Sequence, residues 1–176
     1  MSISLKADAS GTFGTLQVGG VDKLVIGPNT VAPAAGVTMV GNGPAFSAYR
    51  GTVQSIVASN TFQDLIYDTE LDDTNSAYNV ATGVFTAPQS GYYVFSVGAG
   101  LAGSGISNSQ LTLHKNGVYW RFIGVNGVGG WVGGEISLKL MAGDAIKVQG
   151  KITGTSLSMA ADSALSYFSA VLMRSA

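Results

Sequence analysis

The chain has 176 residues, enough for one domain with a real hydrophobic core and a short appendage. Its formal net charge is -1 and charged residues make up 11%, against about 25% in ordinary soluble domains, so no basic surface exists to hold a nucleic-acid backbone. Mean hydropathy is high at +0.31, yet no apolar run approaches the roughly 20 residues of a membrane helix. Neither nucleic acid nor membrane is therefore expected as a partner. The apolar surplus is expected to be covered by folding and by partner subunits.

Cysteine is absent, which excludes a disulfide framework and a thiolate metal site. The first ten residues have no basic stretch followed by an apolar one and do not read as a secretory signal. Assembly in a cytoplasm is expected. Residues 15–18 (Thr-Leu-Gln-Val), Gly19-Gly20 and residues 21–26 (Val-Asp-Lys-Leu-Val-Ile) read as a β-hairpin with a Gly-Gly turn. Residues 31–36 and 41–44, rich in Pro, Ala and Gly, read as linkers. The expected division is 1–43, a hairpin anchor and linker, and 44–176, the main domain. A lone hairpin cannot form a stable core, and its exposed edges invite pairing with a neighbouring strand.

From Ala45 the strand signals come quickly, with Gly, Asn and Asp between runs and no long period-3.6 stripe. In residues 91–97, Tyr93, Phe95 and Val97 share one face and Tyr92, Val94 and Ser96 the other. Both faces carry apolar groups, so one should meet the core and one a neighbouring subunit. Asn116-Gly117 predicts a tight hairpin after residues 110–115. In the returning strand, residues 118–125, Trp120 and Phe122 are expected in the core. Ile136, Leu138 and Leu140 point inward, Gly143-Asp144 makes a turn, and residues 145–149 alternate again. Residues 166–173 are apolar on both faces and therefore central.

At this point the chain resembles the complement C1q globular-head family, part of the tumour-necrosis-factor-like jelly rolls. The likeness rests on a spaced set of residues: Tyr67, Asp73, Tyr78, Phe85, Gly91, Tyr93 and Phe95. Ordered blocks agree with it: Ala45 to Ala48 with Arg50, Leu113 to Gly117, Leu138 to Asp144, and Phe168 to Leu172. Tyr67 stands where the family usually has Phe, and Val97 replaces its last aromatic. The signal peptide, collagen-like stalk and cysteines of secreted animal members are not found, so the complement function is not carried over. What the resemblance implies is an all-β C1q/TNF-like jelly-roll sandwich, trimeric assembly and a binding-module role. The N-terminal Leu-Gln-Val, Gly, Val-Asp-Lys-Leu pattern is similar to short motifs of phage tail and fibre proteins, which implies a virion component.

Asp64, Asp68, Glu70, Asp72 and Asp73 are half of the ten acids. Asp68, Glu70 and Asp72 alternate, which would put them on one side of an extended backbone, as a solvated loop or around a calcium ion. His114, the single histidine, has the outward parity of Thr112, and its replacement by Ala is expected to leave folding nearly unchanged. No Gly-x-Ser-x-Gly elbow accompanies it, so no catalytic, cofactor or metal site is assigned. The Gly-rich run 124–134 lacks the phosphate-loop ending and reads as a flexible connection between strands. Trp131 has outward parity with Glu135, Ser137 and Lys139. It suits a subunit interface, a sugar or receptor contact, or, after a bulge, the core. The expected function is a non-enzymatic homotrimeric virion protein of a tailed phage. It would be a capsid-decoration knob attached to other virion proteins by its N-terminal segment. The alternative is a tail fibre or tail-tip module that binds a host surface glycan or receptor.

Overall fold

The computed structural model describes four strands among the first 33 residues, at 3–7, 14–18, 21–26 and 31–33, and the whole of residues 43–175. The chain falls into two units, Met1–Asn42 and Gly43–Ala176. In the first, β1 (Ile3–Ala7), β2 (Gly14–Val18), β3 (Val21–Ile26) and β4 (Val31–Pro33) form an antiparallel sheet in chain order. Val18 pairs with Val21, as a hairpin over Gly19-Gly20 requires; those two glycines lie outside the described residues. The hairpin does not stand alone as expected. β1 runs along β2 from Ile3 opposite Val18 to Ala7 opposite Gly14, and β4 pairs with β3. Both edges read as open are thus paired, and the stretch taken as linker begins with a strand. Pro33 is tolerated there because β4 is an edge strand, where a missing N–H breaks no ladder.

The second unit is built from β5 (Ala45–Tyr49), β6 (Gln54–Ser55), β7 (Phe62–Asp64), β8 (Thr69–Asp73), β9 (Tyr78–Asn79), β10 (Val84–Thr86), β11 (Gly91–Lys115), β12 (Val118–Asn126), β13 (Gly130–Leu140), β14 (Ala145–Met159) and β15 (Tyr167–Ser175). No helix occurs among the described residues. β11 belongs to both layers of the sandwich. Its first part pairs with β13 and β15, and its second with β12 and β14. The change comes between Ala102 and Asn108, where the register slips twice and Gly105 takes φ 62. A bulge and a left-handed glycine are the means by which a strand bends sharply. One layer therefore runs β8-β5-β15-β11-β13, and the other is β14 with β11 and β12, edged by β6, β7 and β10. Strand β15 is central, as its two apolar faces require.

The core lies between the layers. Tyr93, Phe95 and Val97 are fully buried, facing Leu111, Leu113, Ile146, Val148 and Ile152 of the other layer. Leu138 and Leu140 are buried, with Ile136 packed against them. The Asn116-Gly117 turn takes φ 51 and 81, the two positive angles of a type I′ hairpin. Asp144 holds the neighbouring turn by meeting Lys115 Nζ at 2.6 Å and accepting from the backbone N–H of Met141 at 2.8 Å.

β12 departs from simple alternation. Gly124 is level with Leu111, Phe122 with Thr112, Arg121 with Leu113 and Tyr119 with His114. Each shift inserts an extra residue and reverses the parity. Phe122 consequently points outward and is 47% exposed, while Ile123 and Trp120 pack on the core. The expectation that Trp120 and Phe122 share the core is corrected by these bulges.

His114 keeps its outward parity but is not a surface residue. It is 8% exposed, covered by the rings of Phe62 at 5.5 Å and Tyr119 at 5.7 Å. Its Nε2 has no hydrogen-bond partner. Burial lowers its pKa, and nearby Asp64 opposes that in part.

Two predictions follow from this packing. Phe95→Ala should cost about 3–5 kcal/mol in chemical denaturation, the usual range for a buried Phe; a loss below about 1 kcal/mol would mean the site collapses around it. His114→Ala should cost about 1–2 kcal/mol rather than nothing. Because the folded pKa of His114 lies below the unfolded value near 6.5, the unfolded chain takes up the proton first. Stability should fall as pH drops below about 6.5, and melting curves should show a shallower fall for His114→Leu.

Candidate interaction surface

The five acids do not assemble into one site. Asp64 is held by Lys147 Nζ at 2.6 Å and Gln149 Nε2 at 2.7 Å, and these partners keep its pKa low against the opposing effect of burial. Asp68 accepts from the N–H of Gly51 and the hydroxyl of Thr52 and lies 3.4 Å from Arg50. Asp73 accepts the N–H groups of Asn75 and Tyr78. Glu70 and Asp72 do not share a side. A bulge between their partners sets Asp72 level with outward Ser47 and Glu70 level with inward Ala48. No cluster of three metal-ligating side chains occurs among the described residues.

The Gly-rich run is mostly strand, not flexible connection. Only residues 127–129 join β12 to β13, and Gly133 pairs with Gly98 across β11. A Cβ at Gly98 would stand 2.6 Å from Tyr167 Cε1 and 2.9 Å from Trp131 Nε1; one at Gly133 would stand 2.5 Å from Trp131 Cζ2. The two glycines make room for the indole to lie flat across the sheet. The β13 register runs without a bulge from Gly130 to Leu140, so Trp131 keeps its outward parity and is 44% exposed. The core alternative is excluded.

The outer side of the layer β8-β5-β15-β11-β13 is organised in rows that cross the strands. Tyr49, Tyr167, Gly98 and Gly133 are level with one another, with the Trp131 ring over the last two. The next row is Ser47, Ser169, Ser96 and Glu135, with Asp72 beside Ser47. The third is Ala45, Val171, Val94 and Ser137. The three serines lie between Tyr49, Tyr167 and the Trp131 ring on one side and Val171 and Val94 on the other. They floor a trough of about 360 Å³ with Asp72 and Glu135 in its lining. Tyr92, Val171 and Met173 stand exposed on the same strands, and Lys139 Nζ lies 5.9 Å from the Tyr92 ring. The surface is thus largely aromatic and aliphatic with a narrow polar band, a composition typical of contact surfaces.

On β11 the signature residues Tyr93 and Phe95 lie on the opposite, inward side. Tyr67, Tyr78, Phe85, Tyr93 and Phe95 are buried. A Cβ at Gly91 would stand 2.5 Å from the carbonyl oxygen of Arg174. The five aromatics build the core.

Comparison with known proteins agrees with this architecture. A family model described as the C1q domain matches residues 45–173. No curated protein sequence matches the chain. Among solved structures, the globular domain of zebrafish complement 1qA protein is similar over 74% of this chain and 97% of its own, with 18% identity and a TM-score of 0.52. Murine APRIL at pH 8.5 aligns over 74% of this chain and 98% of its own, at 9% identity and TM-score 0.57. Eiger TNF from S. frugiperda aligns over 76% and 93%, at 13% identity and TM-score 0.52. With the family model covering most of its length and the same jelly-roll sandwich, this chain belongs to the C1q domain family.

Proposed function

We propose that the chain is a non-enzymatic, homotrimeric virion protein of a tailed phage. Its C1q head is a capsid-decoration knob, and residues 1–43 attach it to other virion proteins. The observation that carries the trimer is the apolar outer face of the β8-β5-β15-β11-β13 layer. A monomer would leave Tyr92, Trp131, Val171 and Met173 in water. A heterologous contact that closes after three copies would cover all of them with no free patch left over. The non-enzymatic reading is supported by the setting of His114. Two aromatic rings cover it, and Asp64, the nearby acid, is held by Lys147 and Gln149.

The virion reading rests on the N-terminal sequence pattern. The N-terminal strands form a unit of their own, which suits an attachment segment separate from a displayed head. Assembly would take place in the host bacterial cytoplasm.

Light scattering at micromolar concentration should give three times the 17.9 kDa chain mass; a stable monomer would rule the trimer out. Deleting residues 1–43 should leave a soluble trimer that no longer sediments with particles. If the truncated head still decorates particles, the head carries the attachment surface. Binding of the intact trimer on a glycan array would move the assignment to a host-attachment tail module.

A further inference from the structure

Register sorts the residues of the N-terminal sheet onto two unlike faces. Residues level with one another across an antiparallel ladder share a face. Ile3, Val18 and Val21 are level across β1, β2 and β3. Leu5, Leu16, Leu24 and Pro33 form the next row on that face, across all four strands. Ala7, Gly14, Ile26 and Val31 form the third. The rows between belong to the other face: Ser4, Gln17 and Asp22, then Lys6, Thr15, Val25 and Ala32. One face thus has no polar or charged residue at any described position, and the other has Lys6 and Asp22.

A bulge completes this segregation. Plain alternation along β3 would set Val21 with Lys23 and Val25, and Asp22 with Leu24 and Ile26. The register shift between Leu16 and Gln17 leaves Lys23 outside the ladder and returns Val21 to the face of Leu24 and Ile26.

A sheet with one apolar face has to bury it against another layer. The described strands of the unit Met1–Asn42 all lie in this one sheet, so among the described residues the unit has no second layer of its own. The layer available at high concentration is the same sheet of another copy. Residues 34–44 join β4 to β5, so a trimeric head holds three of these sheets on short tethers, at an effective concentration on the order of millimolar. A face without charge or hydrogen-bonding side chains selects no foreign partner by polarity and suits itself. Three such faces closed about one axis cover one another, whereas pairing two would leave the third in water.

We propose that the apolar faces of three N-terminal sheets pack against one another, as a trimer contact separate from that of the head. This contact rests on the trimer reading. It leaves the polar face and the edge strands β1 and β4 for attachment to a particle.

Cysteine is absent from the chain, so a single introduced thiol reports its own position. The test places one in the full-length protein at Leu16→Cys or Leu24→Cys on the apolar face, and at Thr15→Cys or Gln17→Cys on the other. A maleimide should modify the apolar-face thiols about tenfold or more slowly than the others. Mild oxidation should link two chains of the trimer through Leu16→Cys or Leu24→Cys, and none through Thr15→Cys or Gln17→Cys. Light scattering and circular dichroism check assembly and folding of each variant, and Ile3→Cys replaces an apolar-face variant that fails to fold. Equal labelling of both faces in a trimeric protein overturns the contact and leaves the head trimer standing. Protection without a link between chains also overturns it, since something other than a second copy then covers the face. A monomeric wild type overturns the contact and the trimer reading together.

Discussion

The ring of Phe168 ties the head together. Its centroid lies 4.9 Å from Phe46, 5.7 Å from Tyr67, 5.8 Å from Tyr78 and 6.0 Å from Phe95. These contacts join β15 to β5, β9 and β11, elements far apart in sequence. Aromatic pairs prefer edge-to-face and offset geometry at such separations, so the cluster tolerates little sliding. The tyrosines bring hydroxyls into it, and each is satisfied. Tyr67 donates to the Gly98 carbonyl oxygen at 3.0 Å, and Tyr78 donates to that of Tyr67 at 2.9 Å. Without those partners each buried hydroxyl would cost about 1–3 kcal/mol. A core fixed in this way fixes strand register, and the register decides what stands on the outer side.

Much of this was legible in the sequence, because period-2 alternation holds wherever the ladder is regular. β13 pairs with β11 without interruption from Gly130 to Leu140, and every parity inference along it is correct, from inward Leu138 to outward Trp131. The type I′ turn at Asn116-Gly117 was equally plain, since few residue pairs accept two positive φ angles. Alternation fails at bulges. β12 has two and β8 has one, so Phe122 left the core and Glu70 and Asp72 separated. A bulge changes hydrogen bonding without a strong mark in composition, which is why neither was foreseen.

The remaining differences come from long-range cover, which local patterning does not carry. His114 has the parity of a surface residue, yet β7 places Phe62 over it from 52 positions earlier in the chain. The acids near Asp64 look like one group because they are close in sequence. The fold sends three of them to different tasks, at Lys147, at Arg50 and at the turn before Tyr78. The N-terminal strands β1 and β4 were missed for a related reason. A short alternating run such as Ile-Ser-Leu-Lys-Ala is ambiguous until a partner strand is known.

The division between core and outer face bears on how function is to be sought in this chain. The aromatic residues that carry the family likeness, Tyr67, Tyr78, Phe85, Tyr93 and Phe95, are buried, so they specify the sandwich and leave its partners unspecified. What distinguishes this head lies at the alternate positions of the same strands. Two facing glycines give an indole space to lie flat, and three serines fall level on adjacent strands and floor a trough. The depth of that trough depends on register. A one-residue slip of β15 would put Phe168 and Ala170 on the outer side in place of Ser169. The same aromatic packing that stabilises the head therefore holds the contact surface in shape, and a substitution in the core can alter assembly without touching any residue that a partner meets.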